Sequence, residues 1–212
     1  MHASKAALAA SKVPFDKVGT VNFGNVQQTS ADASYLARHV GLKAGLPIEV
    51  PALTLNRLCG SGFQAVITSM QEIQLGITDI SLAGGAESMS QAPYIVRGTR
   101  FGAPLGASIA FEDSLWAGLT DLYPNIPMGL TAENLATKYN ISKADSDAFG
   151  LRSQELAAKA TKEGVFKDEI APITVKSKKG PFDLAQDEGL RATTLEGLQK
   201  VCRKGTKTTL VF

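Results

Sequence analysis

The residues best suited to chemistry in this 212-residue sequence are Leu55-Asn56-Arg57-Leu58-Cys59-Gly60-Ser61-Gly62-Phe63. An extended, mostly apolar run from Pro51 to Leu58 delivers a cysteine to a glycine-rich turn that opens a helix. A sulfur at a helix N-terminus meets the positive end of the macrodipole and backbone N–H groups without helical partners, a setting that stabilises negative charge. Gly60 and Gly62 carry no side chain to obstruct an incoming carbonyl, as in strand-turn-helix elbows that present a nucleophile. On residue chemistry alone a second reading has equal weight: a small buried cysteine where glycines let strand and helix pack closely.

Few other residues compete. The two histidines are His2 and His39, so a mechanism needing a histidine base has almost no choice. His39 precedes Val40 on an amphipathic stretch and reads as a helix-surface or packing residue. Glu87 follows the end of an apolar strand and resembles a general base by type and place, but is not read as catalytic. Cys59 and Cys202 are too few and too far apart for a disulfide framework, have no metal-ligand spacing, and fit a reducing compartment.

The elements that must hold Cys59 alternate between strand and helix. Residues 2–12 read as helix, Val18 to Val26 as strand, and Ala31 to Leu46 as a helix stopped by Gly45 and Pro47. After the cysteine turn, Val66, Ile67, Met70 and Ile73 recur at helical spacing to Gly76, and Ile77 to Ala83 reads as a short buried strand bounded by Gly84-Gly85. That alternation predicts an α/β layered fold with a mainly parallel sheet. Glu87 to Leu130 loses the pattern in a Gly-, Pro- and Ser-rich stretch long enough to be a functional loop or a subdomain. Helix resumes with Thr131 as the expected N-cap through Tyr139. It starts again after a capping box at Ser142-Lys143-Ala144-Asp145 and runs to Glu163. A strand is expected over Glu169 to Val175, a basic turn over Lys176 to Gly180, and a helix start at Thr193-Thr194-Leu195-Glu196.

Composition narrows the class. With 44% hydrophobic residues, 20% charged and a net charge of +2, the chain fits a globular domain or two small ones and argues against a nucleic-acid partner. No apolar stretch approaches the roughly 20 residues of a membrane span. The first fifteen residues, rich in Ala and Ser with two lysines, read either as an organelle transit segment or as an Ala-rich surface helix.

The cysteine segment resembles the acylation-site motif of thiolases: Leu55-Asn56, two residues, Cys59-Gly60-Ser61-Gly62-Phe63, one residue, Ala65-Val66, six residues, Ile73. The resemblance extends through Tyr35-Leu36-Ala37-Arg38-His39-Val40-Gly41-Leu42, Gly84-Gly85-Ala86-Glu87-Ser88-Met89-Ser90-Gln91-Ala92-Pro93-Tyr94, Glu112-Asp113-Ser114-Leu115-Trp116 and Met128-Gly129-Leu130-Thr131-Ala132-Glu133-Asn134-Leu135-Ala136. It is most similar to the mitochondrial 3-ketoacyl-CoA (acetyl-CoA acyltransferase) branch, over residues 5 to 200.

The resemblance implies a ping-pong acyl transfer of fatty acid β-oxidation, in a mitochondrion. Cys59 would carry the acyl group as a thioester, coenzyme A would be a substrate, and no other cofactor or metal would be needed. It implies that Met128 lines the pantetheine channel and that Arg191 and Thr193 touch the nucleotide end. Thr194 is the alternative to Thr193, because the family has an additional residue before the threonine pair. Glu87 falls within the family's structural Gly-Gly-x-Glu-Ser-Met turn.

The expected organisation is an α/β/α layered, thiolase-like N-terminal half spanning 1–200 and truncated at both ends. Its core would be 1–88 and its cap or loop subdomain 89–192, with a non-matching basic tail over 201–212. The missing first strand is expected to lie centrally and to leave a gap in the sheet. The family's Gly-His-Pro histidine, Asn-Glu-Ala-Phe segment and Cys-x-Gly cysteine are not in this sequence, and Cys202 lacks the glycine turn of the last. Two readings follow: an acyltransferase impaired by the absent half, or a non-catalytic acyl-CoA-binding fragment. The partner of either would be a second copy or a full-length thiolase. A third takes the chain as an incomplete gene model without a stable fold.

Overall fold

The computed structural model describes residues 1–200. The basic tail with Cys202 lies outside the described residues. The chain divides into two compact units, the first Met1–Gly118 and the second beginning at Leu119.

In the first unit α1 (His2–Ser11) leads to β1 (Thr20–Gly24), α2 (Leu36–Ala44), β2 (Ala52–Leu55), α3 (Ser61–Gln74) and β3 (Ser81–Gly85). Three parallel strands in the order β2-β1-β3 form one continuous sheet. Val21 faces Ala52 on one side of β1, and Gly24 faces Leu55; on the other side Thr20 faces Ser81 and Gly24 faces Gly85. The expected gap is therefore absent: β1 is the central strand, and both its edges are paired. β3 also starts later than its apolar run and incorporates the glycine pair expected to terminate it.

Alternation along β1 builds the layers. Val21 and Phe23 join the apolar core with Ala37, Val40, Ala44, Leu46 and Val50, so α2 covers that face. Leu8 and Val18 belong to the same cluster, which fastens α1 to it. Fully burying a side chain of this size contributes roughly 1.5–3 kcal/mol. The opposite face, Thr20, Asn22 and Gly24, turns to α3, giving the α/β/α layering. Gly45, at φ 103°, ends α2 by donating its N–H to the carbonyls of Gly41 and Leu42, where a side chain would be strained.

The contact between α3 and the sheet is polar. Ser61, Ala65 and Ser69 are the helix's buried residues. Asn22 Nδ2 donates to Ser69 Oγ (3.0 Å) and Glu72 Oε2 (2.7 Å), and Thr20 Oγ1 donates to the same carboxylate oxygen at 2.8 Å. Of the apolar residues that mark this segment as helix in the sequence, Val66, Met70 and Ile73 are exposed and Ile67 is half-buried; Phe63 on the first turn is exposed as well.

The stretch after β3 is not a bare loop. Tyr94–Ile95 (β4) pairs antiparallel with Glu112–Asp113 (β5), followed by α4 (Ser114–Leu119). Arg97 grips Glu112 through two bonds, at 2.9 and 3.0 Å, and holds its carboxyl below the usual carboxylate range.

The second unit opens with β6 (Thr120–Asp121) paired to β7 (Ile126–Pro127), and α5 (Met128–Tyr139) follows at once. The N-cap is Pro127, not Thr131: the strand pair ends on Pro127, and its extended backbone turns directly into the helix. The capping box at Ser142 and Asp145 starts α6 (Lys143–Lys162) where expected. β8 (Ile173–Val175) and β9 (Phe182–Leu184) form a hairpin, shorter at its start than the apolar run predicts, and α7 (Leu195–Lys200) closes the described chain. No helix among the described residues is long and apolar enough to cross a membrane.

Candidate active site

All three parallel strands end on the side where Cys59 lies, the place at which open α/β sheets bind ligands. Cys59 is exposed and free, so the buried-cysteine reading does not hold. The packing behind that reading is nevertheless real, and it involves other glycines. A Cβ on Gly24 would come within 2.6 Å of Ser61 O and 2.7 Å of Gly62 N, and one on Gly85 within 3.4 Å of Gly62 Cα. Backbone thus meets backbone where α3 begins, and the cysteine before the helix is pushed out to solvent. A Cβ on Gly62 would meet nothing, so the space over that turn is open.

The loop is held by its own polar groups. Leu58, at φ 50°, adopts the left-handed region that a leucine occupies only when its surroundings fix it. Asn56 Oδ1 accepts from Leu58 N at 2.9 Å. The Ser61 hydroxyl, in a buried residue, donates to Leu58 O at 2.6 Å and accepts from Arg57 N at 2.8 Å. Arg57 also bonds Gln64 on the first turn of α3. Gly60 is the N-cap, so Cys59 lies just ahead of the helix N-terminus, where the Ser61 N–H is bonded to Leu58 O at 2.9 Å and the Gln64 N–H to Gly60 O at 2.8 Å.

His39 lies on α2, with Nδ1 3.1 Å from Asp32 Oδ2 and its ring stacked on Tyr35 at 5.8 Å. The Ser30 hydroxyl first, then the Asp32 backbone N–H and, after it, His39, hold the Asp32 carboxyl below the ordinary range. This is the surface packing role expected of His39. Glu87 is engaged by backbone rather than free to act as a base: its carboxylate accepts from Val26 N (2.8 Å) and Gln27 N (3.1 Å). The sequence places Glu87 in a turn, but which backbone it binds is set by the neighbouring strand.

The remaining predicted site residues belong to the second unit. Met128 is the first residue of α5 and is half exposed. Arg191 is exposed, its N–H donating to Gln154 Oε1 at 3.2 Å and its carbonyl accepting from Thr193 Oγ1 at 3.0 Å. Thr194 Oγ1 instead accepts from Gly197 N at 3.1 Å and caps α7. Of the threonine pair, Thr194 is thus committed to its helix, and Thr193 stands with Arg191.

Comparison with known proteins gives one consistent result. The sequence model for "Thiolase, N-terminal domain" matches residues 1–209. The chain is 54% identical over 200 residues to the mitochondrial 3-ketoacyl-CoA thiolase of Mus musculus, covering 94% of this chain and 50% of that protein. It is 44% identical over 196 residues to the beta-ketothiolase BktB of Cupriavidus necator, covering 92% and 50%. Human mitochondrial 3-ketoacyl-CoA thiolase superposes with a TM-score of 0.91 at 54% identity, over 94% of this chain and 51% of that one. The same human enzyme in complex with CoA gives 0.89 at 53% identity, over 94% and 50%. The chain spans about half the length of the relatives it matches.

Proposed function

The chain belongs to the thiolase family, and from that membership we propose that Cys59 is the nucleophile of an acyl transfer from acyl-CoA. The sulfur attacks the thioester carbonyl, the carbonyl carbon–sulfur bond to coenzyme A breaks, and the coenzyme A thiolate takes up the proton that Cys59 gives up. The product is an S-acyl Cys59 and free coenzyme A. The observation that carries this reading is an exposed cysteine fixed immediately ahead of a helix N-terminus, at the carboxyl ends of three parallel strands.

Arg191 and Thr193 would face the nucleotide end of coenzyme A, where a guanidinium suits phosphate, and Met128 its pantetheine arm. The CoA complex of the human relative supports that choice of substrate. Relatives named as mitochondrial 3-ketoacyl-CoA thiolases support a mitochondrial location. Neither His2 nor His39 stands in a Gly-His-Pro segment, so acylation of this chain by itself relies on the helix terminus. A positioned base is worth on the order of 10²–10⁴ in rate, and the chain alone is expected to be slower by that factor.

Incubation of the 212-residue chain with acetyl-CoA, followed by intact mass, tests the reading. An acetyl adduct that disappears in Cys59→Ser supports it; a folded chain without adduct overturns it. The second reading, a non-catalytic fragment that binds acyl-CoA or pairs with another chain, is favoured by the exposed stripe Phe63, Val66, Met70 and Ile73 on α3. Light scattering of the unmodified chain against a Val66→Lys variant separates the two: a dimer lost in the variant, without acetyl adduct in either, selects the second.

A further inference from the structure

We propose that Glu87 is a positioning residue for Cys59, acting through Val26, Asn56 and Leu58; the proposal rests on the reading of Cys59 as nucleophile. Where β1 and β3 end side by side, the two departing chains are tied together. Ala86 N donates to Gly24 O at 3.0 Å, and Asn25 Nδ2 donates to Ala86 O at 2.8 Å. The Glu87 carboxylate then takes one backbone N–H on each oxygen, Val26 on Oε2 and Gln27 on Oε1, with Asn25 Nδ2 at 3.4 Å from Oε1. Bonds to an ionised acceptor are stronger and more directional than neutral ones, so this turn is clamped rather than merely covered.

The clamped turn is the support on which the cysteine loop hangs. Asn25 N donates to Leu55 O at 3.0 Å, and Asn56 Nδ2 reaches Val26 O at 3.4 Å. The other end of that same amide, Asn56 Oδ1, accepts from the N–H of Leu58, the left-handed residue that precedes Cys59. A carboxylate on one strand end thus fixes a turn on the second. That turn orients an amide on the third, which holds the unfavourable backbone that aims the sulfur. Glu87 itself is exposed and adds nothing to the apolar core, so its function is to orient this loop.

The test uses the 212-residue chain carrying Glu87→Gln, which keeps one acceptor oxygen and turns an NH2 toward the other backbone N–H. Three quantities are read: the rate of Cys59 acetylation by acetyl-CoA, the rate of alkylation by iodoacetamide, and hydrogen exchange at the Leu58 amide by NMR. Acetyl transfer depends on orientation, and small misplacements cost up to about a hundredfold; alkylation of an exposed thiol does not. The expected result is acetylation slowed about ten- to a hundredfold, alkylation within about twofold of the unmodified chain, and faster exchange at Leu58. Arg38→Met, which removes bonds to Ile48 O and Val50 O ahead of β2, is the control for general destabilisation and is expected to leave acetylation unchanged.

Acetylation of Glu87→Gln at the unmodified rate overturns the proposal, as does an equal loss in Arg38→Met. If the unmodified chain is not acetylated at all, the reading of Cys59 fails separately, and exchange at Leu58 decides: faster exchange in the variant supports the clamp, unchanged exchange overturns it. Asn56→Ala carries the same three readouts if Glu87→Gln does not fold.

Discussion

Gly24 and Ser61 meet backbone to backbone: a methyl group on Gly24 would lie 2.6 Å from the Ser61 carbonyl oxygen, with Gly62 N only 2.7 Å away. The end of the central strand therefore sets where α3 begins, and with it the position of Cys59.

Gly24→Ala forces that helix start to move, because the opposing atoms are backbone and have no rotamer to yield. Overpacking of this kind costs about 1–3 kcal/mol. The expected outcome is a lower urea midpoint together with slower acetylation of Cys59. Gly62→Ala, where a Cβ meets nothing, is expected to perturb stability much less. A Gly24→Ala chain as stable as the unmodified one contradicts the contact.

Ser61→Ala removes a hydroxyl that both donates to Leu58 O and accepts from Arg57 N, in a residue only 4% exposed. Leaving those groups short of a partner costs about 1–3 kcal/mol. Urea unfolding measures it, and Ser61→Thr, which keeps the hydroxyl, is expected to recover part of the loss.

Asn22 is 1% exposed, and its Oδ1 has no partner among the described residues. Its Nδ2 shares Glu72 with Thr20, while Ser81 Oγ donates to Ser69 Oγ at 2.7 Å. Asn22→Leu removes the orphaned carbonyl together with the Nδ2 bonds to Ser69 and Glu72, which keep Ser81 and Thr20 as partners, so stability is expected to fall by only about 1 kcal/mol. Glu72→Ala takes the acceptor from two donors at once and is expected to cost more. Parallel thermal melts of the two variants give the order, and the reverse order contradicts this account.

The Asp145 carboxyl is held below its ordinary value by the Ser142 side chain and then by the Ser142 backbone N–H. A depressed folded-state value means the contribution is complete above the unfolded carboxyl value, about 3.9, and is lost as pH falls through the folded one. Carboxyl titration by NMR is expected to give Asp145 a midpoint below an ordinary aspartate, and Ser142→Ala to return it upward. An unchanged midpoint in Ser142→Ala contradicts the cap.

What the sequence carried on its own was local. The capping box at Ser142, the glycine stop at Gly45 and the cysteine placed before a helix depend on residues within one turn of each other, and each sits where its residue types put it. Thr131 is the instructive exception. It is a good cap by type, but the chain becomes helical at Met128, because β7 pairs with β6 up to Pro127 and leaves the backbone already aimed.

Tertiary structure decided what distant segments do to one another. The apolar spacing of Val66, Met70 and Ile73 announces a helix but not which face it buries; Ser61, Ala65 and Ser69 face the sheet because Gly24 and Gly85 bring the backbones close. The order β2-β1-β3 closed the expected central gap, since pairing depends on which edges meet in space and not on sequence neighbours. Glu87 reads as a turn residue from its neighbours, yet its partner Val26 is 61 positions away. Only adjacent parallel strands ending together bring that carboxylate to the turn supporting Cys59.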